Sequence, residues 1–209
     1  MTFLTFLATA LILAITPGPG IAYVVARTVS GGRAEGLASC LGTGLGGLLH
    51  VAAAALGLSM LVAQSALAFS VVKYVGAAYL IYLGVRMLMR KDVGADVAEL
   101  AAQTTAKGAR SALLEGIVVE ALNVKTALFF LAFLPQFVTL GEPLVAQLVL
   151  LGSICVALNT LVDVIAVFAA ARLLTSNTAR AARARLLNRV SGVTMLGLGA
   201  YLALARREV

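Results

Sequence analysis

Lys125, Glu120 and Asp163 stand inside long apolar stretches of this sequence. An ionised side chain at bilayer depth costs at least about 2.5 to 3.5 kcal/mol, so each must face a bundle interior or a wet cavity. A lysine so placed can receive a substrate carboxylate. Glu120 and Asp163 can serve as its counter-ions or as carriers of a proton, and for Asp163 a purely structural ion pair is the competing reading. Asn123 and Asn159 can hydrogen-bond a substrate or bridge helices. His50, the only histidine, suits a proton relay chemically, although a satisfied contact between helices would also explain it. Lys73 and Glu115 lie nearer the ends of their apolar stretches and are expected to snorkel to the interface.

A second constellation is backbone chemistry. Residues Thr16, Pro17, Gly18, Pro19 and Gly20 read TPGPG. Pro17 and Pro19 carry no N–H, and the two glycines tolerate conformations closed to other residues, so the first helix is expected to open here. Opened backbone at membrane depth must face protein or water. It leaves carbonyls on one side and N–H groups on the other, which can hold the ammonium and carboxylate of a zwitterion. A packed kink without a ligand is the alternative.

Residues of this kind need a frame, and composition names it. Apolar residues make up 61% of the 209 and charged residues 12%, with a mean hydropathy of +1.02. A bilayer core takes roughly 20 apolar helical residues to cross. Spans are expected over Phe3 to Ala26, Leu37 to Ala63, Leu67 to Met89, Ala112 to Val138, Leu144 to Ala171 and Asn188 to Ala205. The fold class is thus an all-α membrane protein of six transmembrane helices, forming a single domain over 1–209. Lys and Arg concentrate in the first, third and fifth loops (Arg27 and Arg33; Arg86 to Arg110; Arg172 to Arg189). This orients those loops to the cytoplasm and both termini to the periplasm. Arg206 and Arg207 argue weakly the other way. The net charge of +7 is this topology signal; no basic groove with interleaved aromatics suggests nucleic acid. The N-terminal stretch has no basic residue before Arg27 and is expected to stay as the first span, not to be cleaved as a signal.

The one long loop, about 91–111, divides the chain into halves of about 1–90 and 112–209. Each half holds three spans, so the halves must be inverted. Lys73 with Gly76, and Arg189 with Gly192, repeat one spacing at opposite faces, and the interruptions at Thr16 to Gly20 and at Asn123 to Lys125 fall at comparable depth. Paired interruptions of this kind point to a transporter's binding site. Chance similarity between glycine-rich helices is the competing explanation. Gly42, Gly44, Gly46 and Gly47, with Ser39 and Thr43, make a small-residue face suited to close helix approach. Cys40 and Cys155 are separated and apolar in context, so neither a thiol–disulfide pair nor a metal site is expected. No phosphate-binding G-x-x-x-x-G-K-[ST] loop occurs, so any active transport must draw on a gradient.

TPGPG at 16–20, the glycine-rich second span, KYVGAAYLIYLGVR at 73–86 and NVKTALFFLAFLPQF at 123–137 together resemble the lysine exporter / homoserine-threonine resistance (LysE/RhtB) family of bacterial amino-acid exporters. The resemblance covers essentially the whole chain. It departs where the family has Asn-Pro-Lys in the fourth span: Val124 replaces the proline, which leaves open whether that helix breaks. The resemblance implies a secondary transporter of the bacterial inner membrane that exports small amino acids or derivatives, with protons as the exchanged ion. It implies no cofactor, no catalytic residue and no metal. A homodimer is left open, as is the alternative of a channel or a structural membrane protein.

Overall fold

The structure is a computed structural model that describes residues 3–58, 66–89, 105–139, 141–173, 189, 192–193 and 195–204. Gln64 and Ser65 of the expected second loop, 91–104 of the long loop, the basic residues Arg180 to Arg185, and Arg206 and Arg207 lie outside the described residues. No strand occurs among the described residues. The helices are α1 (Phe3–Ile15), α2 (Pro19–Ala53, ending in a π-helical turn Ala54–Leu58), α3 (Ala66–Met89), α4 (Ala109–Ala121), α5 (Val124–Leu128, continued by a π-helical turn Phe129–Phe133 and a 3-10 turn Leu134–Phe137) and α6 (Leu144–Leu173). A short apolar helix, α7 (Met195–Leu204), closes the described chain.

Length and apolarity qualify Pro19–Gly57 and Leu144–Ala170 as membrane-crossing helices, and α4 with α5 as a third that bends by 44°. The first of these is not straight. Gly32 takes φ +78°, a left-handed conformation that glycine reaches without steric cost. A Cβ built on Gly36 would fall 2.3 Å from Thr28 Oγ1, whereas eight residues of straight helix separate their ends by about 12 Å. The arms 19–31 and 33–53 therefore fold back on one another. The sequence reading put a loop between Ala26 and Leu37; helix instead continues on both sides of a single reversing residue.

Glycine sets how closely the second arm meets its neighbours. A Cβ on Gly42 would lie 2.2 Å from the carbonyl oxygen of Leu113, and one on Gly46 would lie 2.6 Å from that of Ile117, so α2 and α4 touch backbone to backbone. On its other flank Gly47 meets Val156, and Gly44 meets Thr160, of α6. Gly84 lies against the carbonyl of Gly192, just before α7, and Gly199 of α7 against that of Ala77, so α3 and α7 run antiparallel in close contact. The main apolar core gathers Phe6, Leu13, Phe129, Phe130, Phe133, Leu148 and Met195. Many large apolar side chains remain exposed, Leu41, Leu45, Leu49, Val118, Leu122, Leu150, Leu161 and Ile165 among them, which is the pattern of helices solvated by lipid.

Candidate functional site

The break after α1 falls where the TPGPG run predicts it. Thr16 is the last residue to bond back into the helix: its N–H reaches the carbonyls of Ile12 and Leu13, and its hydroxyl donates to Ile12 O at 2.6 Å. Continued helix would bond Leu13 O to the N–H of residue 17 and Thr16 O to that of residue 20. Residue 17 is a proline with no N–H, and the chain leaves helical conformation before residue 20. The ammonium of Lys125 takes both places, donating to Thr16 O at 2.8 Å and to Leu13 O at 3.2 Å. Gly18 makes this approach feasible, because a Cβ there would come within 3.2 Å of Lys125 Cε and Nζ.

The fourth apolar stretch breaks too, although it lacks the proline. Asn123 leaves helical conformation (ψ 100°) and caps α5, its Oδ1 accepting from the Lys125 N–H at 3.1 Å. Asparagine is among the preferred caps because its short side chain reaches the unsatisfied N–H groups of the first turn. The Asn123 Nδ2 donates to Glu120 Oε2 at 2.9 Å, and the Thr126 hydroxyl donates to Glu120 Oε1 at 2.6 Å. Glu120 is 7% exposed, and its Oε2 lies 2.8 Å from where a Gly20 Cβ would be. The carboxylate therefore sits at the start of α2, where helix N–H groups favour negative charge. His50 Nε2 lies 2.8 Å from the Glu120 carbonyl; a carbonyl can only accept, so Nε2 carries the proton.

The far wall is α6. Asp163, 5% exposed, accepts from the Thr43 hydroxyl at 2.9 Å through Oδ2. Asn159 and Thr160 lie one turn away on the same wall, and all three face a cavity shared with Gly20, Thr43, Glu120, Asn123, Lys125 and Thr126. The space that a water centre can reach there is about 20 Å3, room for about one water. An amino acid does not fit in this conformation.

Two packed clusters, or plugs, lie along the chain to either side of the cavity. Along α1 and the first arm of α2 the order is Phe6, cavity, Arg27; along α4 and α5 it is Glu115, cavity, Phe129 to Phe133. At one end aromatic rings pack, with Phe6 against Phe137 at 5.4 Å and Phe129 against Phe133 at 5.5 Å. At the other end Arg27, 1% exposed, pairs with Glu115 and with Glu35, the latter at 3.4 Å, and bonds the carbonyl of Thr105 at 3.0 Å and the hydroxyl of Tyr23 at 3.1 Å. Glu35 also accepts the Gly108 N–H at 2.8 Å, and Glu115 accepts from Ser111 at 3.0 Å. This corrects one expectation: Arg27 is not a solvated loop charge but is buried against Glu35 and Glu115. The Glu115 side chain itself is 39% exposed and also pairs with the exposed Lys107 at 3.4 Å. Sequence reasoning missed Glu35 altogether, though an acidic residue eight positions from Arg27 across a Gly-Gly pair was the available signal.

Of the expected site residues, Gly20, Asn123, Lys125, Asn159, Glu120 and Asp163 meet at one cavity. Thr16 and Gly18 touch it through Lys125. Pro17 and Pro19 act by the N–H groups they lack. His50 reaches the site only through the Glu120 carbonyl and packs its ring 6.0 Å from Phe130.

The profile of the LysE type translocator family matches residues 11–206. The chain belongs to this family. It is 33% identical over 167 residues to the homoserine/homoserine lactone efflux protein of Salmonella typhimurium (strain LT2), covering 78% of each chain. Its identity to an uncharacterized membrane protein of Vibrio cholerae is 32%, covering 77% of this chain and 76% of that one. To an uncharacterized membrane protein of Synechocystis it is 29%, over 93% and 92% respectively. No solved structure matches the chain. Family and apolar helices together make this LysE-type protein a multi-pass membrane protein.

Proposed function

We propose that this protein is a six-span secondary exporter of small amino acids or their derivatives in the bacterial inner membrane, working by exchange with protons. The observation that carries the reading is the pair of broken helices. α1 with the first arm of α2, and α4 with α5, lie antiparallel, and their breaks meet at one cavity that holds Lys125, Glu120, Asn123, Asn159 and Asp163. An inverted repeat of two three-span halves accounts for that geometry and for the antiparallel contact of α3 with α7. Counting α1 with the first arm of α2 as one span, then the second arm, α3, α4 with α5, α6 and α7, yields six spans, with both termini periplasmic by the distribution of Lys and Arg.

The chemistry suits a zwitterion. Carbonyls at the end of α1 match an ammonium, and N–H groups at the starts of α2 and α5 match a carboxylate. Glu120 and Asp163 are the proton carriers in this reading, since both are buried beside the cavity and each can alternate between charged and neutral forms. The name of the Salmonella relative makes homoserine the first substrate to try.

Efflux from preloaded proteoliposomes with an imposed pH gradient tests this. Saturable efflux of one or more small amino acids that follows the gradient is the expected result. Efflux that rises linearly with concentration and ignores the pH gradient would make the protein a channel, and no efflux across the panel would leave a structural role.

A further inference from the structure

The two carbonyls that Lys125 holds form a site in their own right. Leu13 O lacks its i+4 donor because residue 17 is a proline and keeps only a shared, 3.2 Å bond from the Thr16 N–H, and Thr16 O has lost its donor because the helix stops. Both point at one nitrogen, which lies within 3.2 Å of each, and the absence of a side chain at Gly18 keeps the approach open. The occupant is an ammonium on a flexible stem of four carbons, anchored at the first turn of α5. A protonated primary amine presents the same three donors and the same charge.

We propose that the carbonyl end of α1 is a primary-ammonium site that Lys125 fills when no ligand is bound, and that an incoming amino group takes its place. This rests on the reading of the cavity as the amino-acid site, and it reverses the role assigned to Lys125 from sequence: the lysine is a tethered occupant first, and meets a substrate carboxylate only once displaced. The cavity has room for about one water, so an amino acid can enter only if a side chain leaves. Lys125 is the side chain whose chemistry the ligand can replace.

The test uses the purified full chain in detergent, with thermal unfolding followed by a thiol-reactive dye, since Cys40 and Cys155 are both buried. In Lys125→Ala, millimolar n-propylammonium should raise the midpoint, whereas equal n-propanol should not, for want of charge, nor should tetramethylammonium, for want of N–H donors. Wild type should respond at least tenfold more weakly to n-propylammonium. If Lys125→Ala does not fold, Lys125→Met, which keeps the apolar stem, takes its place, and n-propylammonium should still raise its midpoint where n-propanol and tetramethylammonium do not. Homoserine should compete with n-propylammonium in the variant, and N-acetylhomoserine should not. Equal stabilisation by all three small probes, or none by n-propylammonium, overturns the proposal, as does competition by the acetylated compound. Rescue by n-propylammonium with no competition from any amino acid supports the ammonium site and sinks the amino-acid exporter reading instead.

Discussion

The hydroxyl of Thr43 donates to Oδ2 of Asp163 at 2.9 Å, joining the second arm of α2 to α6 beside the cavity. Asparagine at 163 can accept the same bond but cannot bind or release a proton. Asp163→Asn should therefore fold and exchange substrate for substrate, yet lose accumulation driven by a pH gradient. Glu120→Gln is the parallel experiment: its amide oxygen can still accept from Thr126, but its NH2 then faces the Asn123 amide donor, so the amount of folded protein is measured first. Counterflow and gradient-driven uptake in the same vesicles separate the two activities. A variant that keeps both is not the proton carrier, and loss of folded protein in both variants would assign these carboxylates to structure.

Gly18 offers a steric test of the first break. A Cβ there meets Lys125 Cε and Nζ at 3.2 Å, and a leucine adds bulk that the ammonium cannot share space with. Gly18→Leu should reach the membrane in normal amount but transport at less than a tenth of the wild-type rate. Undiminished efflux would reduce TPGPG to a bend.

The plug at Arg27 makes a stability prediction. Removing one partner from a fully buried ion pair costs about 3–5 kcal/mol, and less where a partner stays in contact with water. Arg27→Met should lower the thermal midpoint, chiefly by stranding the buried Glu35, since the Glu115 side chain is 39% exposed and keeps Lys107. Adding Glu35→Gln and Glu115→Gln removes the stranded charges and should recover much of the loss. A triple variant no better than the single one would show that packing of the Arg27 side chain, not its charge, holds this end together.

At Val124 the expectation is tolerance. This residue is the first of α5, directly after the Asn123 cap, where a missing N–H costs nothing and the proline φ suits the turn. Its side chain is exposed. Val124→Pro should be expressed and active, whereas Asn123→Ala should lose about 1 kcal/mol with its cap and also leave Glu120 short of a donor. Transport lost in Val124→Pro and kept in Asn123→Ala would invert this account of the second break.

Orientation is open to reporters. Fusions after Ala95 and Thr178 should read cytoplasmic, and fusions after Gln64 and Gly141 external. An external signal at Ala95 would turn the protein over and exchange the sides of its two plugs.

Much of the site was legible because it is built from residues whose chemistry is conspicuous against an apolar background. Prolines at 17 and 19 and the polar pair Asn123 and Lys125 marked both breaks, and Glu120, Lys125 and Asp163 all fell beside the cavity. Partnerships were not legible. Nothing in sequence spacing says that Lys125 reaches the end of α1 more than a hundred residues away, or that Arg27 meets Glu115, because both depend on how the helices are arranged in space. The break in the fourth stretch was left open for want of proline, since a capping asparagine can end one helix and start the next as effectively. The reversal at Gly32 was read as a loop because the charges around it suggested water; Arg27 and Glu35 instead satisfy each other out of solvent.

The bare contacts of Gly42 and Gly46 with the carbonyls of Leu113 and Ile117 bear on how such a protein can move. Interlocked backbones have no side chains to yield, so a small slip between α2 and α4 would collide at once, and the next register that fits lies a full helical turn, about 5.4 Å, away. The second arm of α2 and α4 would consequently move as one stiff beam. The strain of opening falls on joints already cut in the chain, at Thr16 to Gly18 and at Leu122 to Asn123, which would let the outer segments swing while the beam keeps its shape.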